Sequence, residues 1–391
     1  MDRYSKIPYD ILHVIARKLS SLVCYTAFRS VCRSWRSFSL QHYSYLVPPQ
    51  PPWLMLLNSV NPSLRVCDFY NFDGTRKFFQ FSMPDQCQYY WCSGTWLIFT
   101  DKKVQKFGVS NPLSSTHILL PCLASKPEIK GYKKFIVSSG PLIKNIRDVI
   151  FGVIYNDKNL AIIRLGDKAW TPIKLDFSHK LQEARFDDII FYGGKLHAIN
   201  EFGRIFVCEE DVNIPCDKDY HRRCPVKPLM LIDHSYKMYE NPDHHAKDIT
   251  HYLVEVNGDL MHVLRFTNGS DISTSTFSIF KLDFSTNTKS YPVKKSDLRD
   301  HSLFLCPFTC SASAIVSDLN CVYLGSYHER PISKKMNWKL MSFDYFKKKQ
   351  HSSSILFKVK DCDDLNKKIL GIVRWLFSIK MEDGCVGDTN V

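Results

Sequence analysis

Cysteine and histidine come closest together in the middle of the chain, where they are the best candidates for a metal site. Cys208, Cys216 and Cys224 are spaced eight residues apart, and His221 precedes the last of them. Zinc sites normally take pairs of ligands about two to four residues apart, because one tight turn then brings both ligands to the ion. This spacing offers no such pair, so the sequence predicts no metal site here.

Three histidines follow in the next segment. His244 and His245 are adjacent, and His251 comes six residues later. Imidazole groups can bind a metal or act as a general base near neutral pH. The surrounding residues 241–250 are polar and typical of a loop, so we interpret these histidines as solvated.

Paired carboxylates occur at Asp187-Asp188 and at Glu209-Glu210-Asp211. Adjacent side chains of a strand point to opposite faces, so such neighbours cannot share one site as a glycosidase pair must. We place them at strand ends and turns. The sequence also lacks the common phosphate-loop, dinucleotide, serine-hydrolase and zinc-protease motifs. It therefore predicts no catalytic residue, no cofactor and no metal, and a protein that is not an enzyme.

The net charge of +13 raises the alternative of a nucleic-acid binder. Residues 1–52 contain seven Lys or Arg against Asp2 and Asp10, and the remaining surplus is spread thinly over the rest of the chain. Such diffuse charge argues against a nucleic-acid partner. A steep salt dependence of retention on DNA or RNA would be needed to support one.

No stretch approaches the roughly 18 apolar residues of a membrane span, and the first residues include charged and polar groups instead of a signal-peptide core. We expect no membrane partner and an intracellular protein, in the nucleus, the cytoplasm or both. The fourteen cysteines are scattered singly, which indicates reduced and mostly buried thiols.

Short apolar or alternating runs recur from Trp53 onward and predict β-strands, with no sustained helical period up to about residue 360. Polar turns near Asp157, Gly194, Gly258 and Asn320 separate pairs of runs and predict hairpins. One gap between these turns is near the length of a propeller blade and two are roughly double it. This pattern favours a β-propeller over a large sandwich or barrel.

The proline-rich segment Val47–Pro52 excludes a helix and favours a stiff, extended linker. We therefore divide the chain into a helical module (1–46), a linker (47–52) and a large all-β domain (53–391).

The helical module has two amphipathic stripes. Pro8 suits a first helical turn, and Ile11, Leu12, Ile15 and Leu19 follow at helical spacing. A second helix is predicted over residues 28–36, with Phe28, Val31, Cys32 and Trp35 on one side. Two short helices rarely bury that much apolar surface alone, so we expect the module, Trp35 included, to need a partner.

This pattern resembles the F-box, over roughly residues 4–45, and its second half resembles the plant version. The resemblance implies a docking surface for the small Skp-type adaptor of a cullin-RING ubiquitin ligase. By matching positions, it also implies the residues that carry the module fold and the adaptor interface: Ile7, Pro8, Ile11, Leu12, Ile15, Leu19, Val31, Cys32 and Trp35. The chain departs from the usual F-box at Cys24, where Asp is common, at Ala27, where many have Arg, and at Ile7, where Leu is usual.

The β-domain resembles the KIB-type β-propeller that follows F-boxes in plants. The resemblance is carried by residues 92–97, 111–113 and 119–121, and in the C-terminal half by residues 252–260, 280–284, 303–305 and 320–323. Together they span most of residues 53–350. The chain differs from such relatives at residues 288–290 and 325–327, so the resemblance does not imply a shared target.

These resemblances imply a substrate-recognition subunit of an SCF-type ubiquitin ligase, in which the helices bind the adaptor and the propeller binds an unidentified target protein. The other members of the ligase would supply catalysis by proximity. The alternative is a propeller enzyme or binding protein, for example of glycans, that acts independently of a ligase.

Overall fold

A computed structural model defines the architecture of this chain. The residues that it describes are 6–19, 27–41, 53–58, 66–70, 77–82, 87–93, 96–101, 106–111, 116–123, 131–138, 149–175, 185–208, 225–226, 248–267, 276–284, 289–305, 311–315, 321–325, 340–344, 349–350 and 367–373.

The first helix, α1, spans Tyr9–Arg17 and begins where the sequence predicted. Pro8 is its N-cap, and the Pro8 carbonyl accepts hydrogen bonds from the backbone N–H groups of Ile11 and Leu12, each at 3.1 Å. Asp10 places negative charge in the first turn and Arg17 places positive charge in the last. Both charges suit the helix dipole.

The second predicted helix is interrupted. Residues 27–30 are helical, Val31 and Cys32 are not, and helix α2 then spans Arg33–Gln41. The Ser30 hydroxyl donates to the Ala27 carbonyl at 2.7 Å, and such local bonds compete with the helical pattern. The prediction of one continuous helix over residues 28–36 is therefore wrong.

The helical module has a core of its own. It consists of Leu12, Ala16, Phe28, Trp35 and Phe38, all buried. The Phe28 and Trp35 rings are 4.7 Å apart between centroids. The expectation that Trp35 needs a partner protein to bury it is wrong, because Phe28 covers it within the module.

The β-domain begins with β1 at Trp53. Its strands within the described residues are β1 (Trp53–Asn58), β2 (Val66–Tyr70), β3 (Lys77–Ser82), β4 (Cys87–Ser93), β5 (Trp96–Asp101), β6 (Phe107–Asn111), β7 (Thr116–Leu120), β8 (Tyr132–Val137), β9 (Ile150–Tyr155), β10 (Asn159–Arg164), β11 (Thr171–Leu175), β12 (Phe186–Tyr192), β13 (Lys195–Asn200), β14 (Ile205–Val207), β15 (Pro225–Val226), β16 (Asp248–Val256), β17 (Asp259–Thr267), β18 (Thr276–Asp283), β19 (Lys289–Pro292), β20 (His301–Leu305), β21 (Ala312–Ile315), β22 (Cys321–Gly325), β23 (Leu340–Asp344), β24 (Lys349–Gln350) and β25 (Lys367–Val373). A short helix, α3 (Lys295–Leu298), lies between β19 and β20.

In the part of the chain that the structure describes, these strands form six sheets, numbered here in chain order. Their strand orders are β25-β1-β2-β3, β4-β5-β6-β7, β8-β9-β10-β11-β15, β12-β13-β14, β16-β17-β18-β19 and β21-β20-β22-β23-β24. Neighbouring strands are antiparallel except for β11 with β15 and β20 with β22. In the sixth sheet, β20 is inserted between β21 and β22.

Successive sheets contact each other through their innermost strands. These contacts join β25 to β4, β4 to β8, β8 to β12, β12 to β16 and β16 to β21. Strand β25, the last of the described strands, pairs with β1 and so completes the first sheet. This arrangement is a β-propeller, and the predicted fold class, a small helical module followed by a large all-β propeller domain, is confirmed.

Hairpin turns lie where the sequence predicted three of them. Asn156 and Asp157, Gly193 and Gly194, and Asn257 and Gly258 all have positive φ, which tight hairpin turns require. The fourth predicted turn, at residues 317–320, lies outside the described residues.

The cores lie between the sheets. Phe135 and Ile136 are adjacent in β8, yet Phe135 packs with the second sheet and Ile136 with the fourth. This follows from the alternation of side chains along a strand. Similar cores join the fourth sheet to the fifth and the fifth to the sixth.

The boundary between the helical module and the β-domain stays a prediction, since residues 42–52, which include the predicted linker, lie outside the described residues. Among the residues that are described, no helix is long and apolar enough to span a membrane.

Candidate functional site

The outer side of the helical module carries apolar side chains that its own core does not cover. Ile11 is 50% exposed, Val14 is 53% exposed and Val31 is 44% exposed. Ile11 and Val14 are three residues apart on α1, so they lie on one face of that helix. Val31 is a third exposed apolar residue, in the bend that precedes α2, and we call Ile11, Val14 and Val31 collectively the exposed apolar surface.

The structure separates the nine residues assigned to the adaptor interface into three groups. Leu12 and Trp35 are buried in the core of the module, so they shape the surface from within. Ile7, Ile15, Leu19 and Cys32 are half-buried and pack against that core. Pro8, Ile11 and Val31 are exposed and free to contact a partner.

Tyr9 and Val14 are exposed apolar residues of α1 that the sequence assignment missed. Tyr9 packs against Phe38, with ring centroids 5.3 Å apart, whereas Val14 extends the exposed apolar surface. Helical spacing from Ile11 could have identified Val14. Of the departures from the usual F-box, Ala27 is exposed, Ile7 packs against the core, and Cys24 lies outside the described residues.

In the propeller, the paired carboxylates Asp187 and Asp188 lie within the innermost strand β12, not at a strand end or turn as predicted. A β-bulge between Phe186 and Asp188 breaks the alternation of side chains. Both carboxylates therefore accept hydrogen bonds from the backbone of the neighbouring strand β16. The Asp187 carboxylate accepts a hydrogen bond from the N–H of His251, and the Asp188 carboxylate accepts one from the N–H of Leu253, each at 3.0 Å.

Two lysines of β8 reach the same carboxylates from the other side, next to a second bulge. Lys134 forms an ion pair with Asp188, and both side chains are about 1% exposed. Lys133 donates to the Phe186 carbonyl at 2.6 Å and to Asp187 at 3.2 Å. Lys133, Lys134, Asp187 and Asp188 are called here the inner-strand network.

The inner-strand network links three consecutive sheets. Burial raises the pKa of Asp188, and the Lys134 ammonium and the two backbone N–H donors of Leu253 and Ile189 offset only part of this rise. Among the described strands β16 pairs with β17 on one side, and on its other, inner edge the backbone N–H groups of His251 and Leu253 donate to these two carboxylates. The network thus joins the sheets, and its carboxylate oxygens accept hydrogen bonds from groups within the propeller.

Hydrogen bonds between a side chain and a backbone group also connect other pairs of adjacent sheets. The Ser93 hydroxyl of β4 accepts from the Val137 N–H of β8 at 2.8 Å, and the Ser313 hydroxyl of β21 donates to the Glu255 carbonyl of β16 at 2.7 Å. From the second sheet to the sixth, a side chain of one innermost strand therefore forms a hydrogen bond with a backbone group of the innermost strand in the adjacent sheet.

His251 is buried in β16, which contradicts its interpretation as a solvated loop residue. Its Nδ1 lies 2.9 Å from Nε2 of His262, a diagonal neighbour on β17, and the two rings are stacked. Burial lowers the pKa of His251, and the Asp187 carboxylate and the Glu201 carbonyl partly oppose this. His244 and His245 lie outside the described residues.

In the part of the chain that the structure describes, no three His, Cys, Asp or Glu side chains are arranged to hold a metal ion. The thiol of Cys208 is not part of a disulfide and is buried against the core between the third and fourth sheets. Cys216, His221, Cys224, Glu209, Glu210 and Asp211 lie outside the described residues.

Sequence reasoning missed Lys133, Lys134 and His262. A usable signal was present: Lys133-Lys134 interrupts an otherwise apolar strand, and a charge in a buried strand requires a partner.

Residues 69–344, from β2 to the end of β23, match the model of the KIB1-4 beta-propeller family. The chain belongs to this family. The helical module lies outside the matched residues, so the family match concerns the KIB1-4 propeller alone.

Relatives of this KIB1-4 propeller protein cover most of the chain. One putative F-box protein of Arabidopsis thaliana is 29% identical over 315 residues, which are 78% of this chain and 78% of that protein. A second is 26% identical over 380 residues, 87% of this chain and 91% of that protein. The predicted resemblance to plant F-box proteins with a KIB-type propeller is thereby confirmed.

Proposed function

We propose that this protein is the substrate-recognition subunit of an SCF-type ubiquitin ligase, acting inside the cell in the nucleus, the cytoplasm or both. The helical module binds a Skp-type adaptor, which connects it to a cullin-RING ligase. The KIB1-4 propeller binds the target protein. The chain itself performs no chemistry, and the ligase transfers ubiquitin to a target held nearby.

The observation that carries this proposal is the exposed apolar surface on a module that already has a complete core. Ile11, Val14 and Val31 are close to half exposed, although Leu12 and Trp35 beside them are buried. A few well-packed residues near the centre of an interface supply most of its binding energy, and burying exposed apolar side chains there contributes to it. The names of the two Arabidopsis relatives and the F-box pattern support a Skp-type adaptor as the partner.

The adaptor part is tested with the full chain, a purified Skp-type adaptor and the substitution Ile11→Glu. A carboxylate at this position would be buried against apolar adaptor surface, so we expect the affinity to fall at least about 100-fold. Co-elution in size-exclusion chromatography and titration calorimetry measure this.

Two further variants make the test specific. Lys158→Glu places the same charge on an exposed propeller hairpin and should leave adaptor binding unchanged. Trp35→Ala removes a core side chain and should reduce both the helical signal in circular dichroism and binding. Equal binding by the unchanged chain, Ile11→Glu and Trp35→Ala would refute the proposal.

The target part is supported by an exposed aromatic side chain on a rigid turn. Phe202 is 49% exposed between β13 and β14. Asn200 Oδ1 accepts from the backbone N–H of Phe202 at 3.1 Å and of Arg204 at 2.9 Å, which fixes the turn. A preorganised aromatic loses little entropy on binding.

We therefore propose that the target contacts the end of the propeller that carries Phe202. Proteins captured by the full chain should be depleted by Phe202→Ser. They should be retained by Leu119→Ser, which alters an exposed apolar residue of the outer strand β7. Equal capture by the two variants would contradict this placement.

A further inference from the structure

The exposed side of the helical module is basic as well as apolar. Its described residues, 6–19 and 27–41, include six Lys or Arg and a single acidic residue, Asp10. The chain as a whole is far more balanced, with 52 Lys or Arg against 39 Asp or Glu. Positive charge is therefore concentrated on the part of the molecule that carries the exposed apolar surface.

Four of these cations lie close to that surface. Arg17 and Lys18 follow Val14 by three and four residues, so they lie one turn away on the same side of α1. Arg36 lies one turn beyond Cys32, the residue that follows Val31 in the sequence, and its backbone N–H donates to the Cys32 carbonyl at 3.1 Å. Arg33 is three residues before Arg36 on α2, and all four side chains are exposed. We call Arg17, Lys18, Arg33 and Arg36 the basic rim.

An apolar patch with a charged rim fits a partner that has an apolar patch and a rim of opposite charge. Burying the patch brings the rim within a few ångströms of the partner, where like charges would oppose binding and opposite charges would favour it. Rim charges remain partly solvated, so they act mainly on the association rate and its salt dependence.

We propose that the basic rim selects a Skp-type adaptor whose facing surface is acidic around an apolar centre, and that it accelerates association by electrostatic attraction. This inference rests on the proposed function, because it concerns the same surface. It adds the charge of the partner surface and the division of roles: the exposed apolar surface holds the complex, and the basic rim sets how fast it forms.

The test measures association and dissociation rates of the full chain with a purified Skp-type adaptor between low and high NaCl concentration. For the unchanged chain, the association rate should fall at least about tenfold over this range, because salt screens attraction between the two surfaces. The variant Lys18→Gln/Arg36→Gln should associate several-fold more slowly at low salt and depend less on salt, with its dissociation rate changed less than twofold.

The matched control is Lys158→Gln/Lys195→Gln, which removes two exposed cations from propeller hairpins and the same net charge. It should keep the association rate and salt response of the unchanged chain. Circular dichroism and thermal unfolding establish that both double variants are folded.

The outcomes separate the two proposals. If the unchanged chain does not bind the adaptor at any salt concentration, the proposed function fails and this inference fails with it. If it binds with rates that are indifferent to salt, or if the control slows association as much as the rim variant does, the inference alone is overturned. Ile11→Glu should raise the dissociation rate, which distinguishes the apolar from the basic contribution.

Discussion

The Lys134 ammonium of β8 donates a hydrogen bond to the Asp188 carboxylate of β12, and this buried ion pair joins the third and fourth sheets of the propeller. Asp188 also accepts the Leu253 N–H of β16, so one carboxylate connects three innermost strands. In a buried polar network of this kind, removing one member leaves the others without a hydrogen-bond partner.

Replacing Asp188 with alanine should therefore destabilise the propeller by about 3–5 kcal/mol, because it leaves the Lys134 charge and the Leu253 N–H buried without their acceptor. Urea unfolding followed by tryptophan fluorescence measures the change. Asp259→Ala is the matched control, since Asp259 pairs with Lys281 at 2.7 Å but both side chains are about one third exposed. The control should lose less than about 1 kcal/mol. Similar losses in the two variants would contradict a structural role of the inner-strand network.

Stability should also fall in mild acid because of His197. Burial lowers the pKa of His197 from 6.5 to about 4, with the nearby Lys195 charge adding to this and its backbone carbonyl opposing it. The unfolded chain takes up a proton on this residue below about pH 6.5 and the folded chain does not, so the free energy of unfolding decreases as the pH falls.

Between pH 6.5 and pH 5 this residue alone should lower the free energy of unfolding by about 1.5 kcal/mol. Unfolding curves at several pH values measure the slope, and His197→Gln should reduce it by about that amount. Some slope should persist in the variant, because burial also lowers the pKa of His251. Parallel pH profiles for the two proteins would refute the assignment to His197.

Gly203 should be intolerant of a side chain because of the histidine pair beneath it. Its φ is +73°, and a Cβ atom would lie 3.2 Å from Cε1 of His251. Gly194 has a similar φ of +76° with open space around its Cβ position. Gly194→Ala should therefore cost only the backbone strain, about 1 kcal/mol, and Gly203→Ala should cost about 1–2 kcal/mol more. Equal melting temperatures for the two variants would show that the turn does not press on His251.

Closure of the ring by β25 predicts a sharp effect of truncation. Ending the chain after residue 366 removes the partner of β1 and leaves an innermost strand edge without its hydrogen bonds. We expect a lower unfolding temperature and concentration-dependent aggregation, measured by differential scanning fluorimetry and light scattering. Ending the chain after Val373 keeps β25 and serves as the control. If both truncations behave alike, β25 does not close the propeller.

The sequence by itself determined the features that depend on neighbouring residues. The strand runs follow from local apolar and alternating patterns, and the turns at Asp157, Gly194 and Gly258 follow from residues that tolerate positive φ. Pro8 likewise marked the start of α1. These features need only the chemistry of a few adjacent residues, so they could be predicted.

The tertiary structure decided which side chain faces which partner. Asp187 and Asp188 were predicted to point apart, but a bulge turns both toward strands 54 to 65 residues away in sequence. The polar residues around His251 predict a solvated side chain, whereas the pairing of β16 with β17 places this side chain against His262. On α1, Leu12 is buried and the adjacent Ile11 is exposed, because the packing against Phe28, Trp35 and Phe38 decides which side of the helix faces inward. Such outcomes depend on contacts between distant segments, which local patterns do not encode.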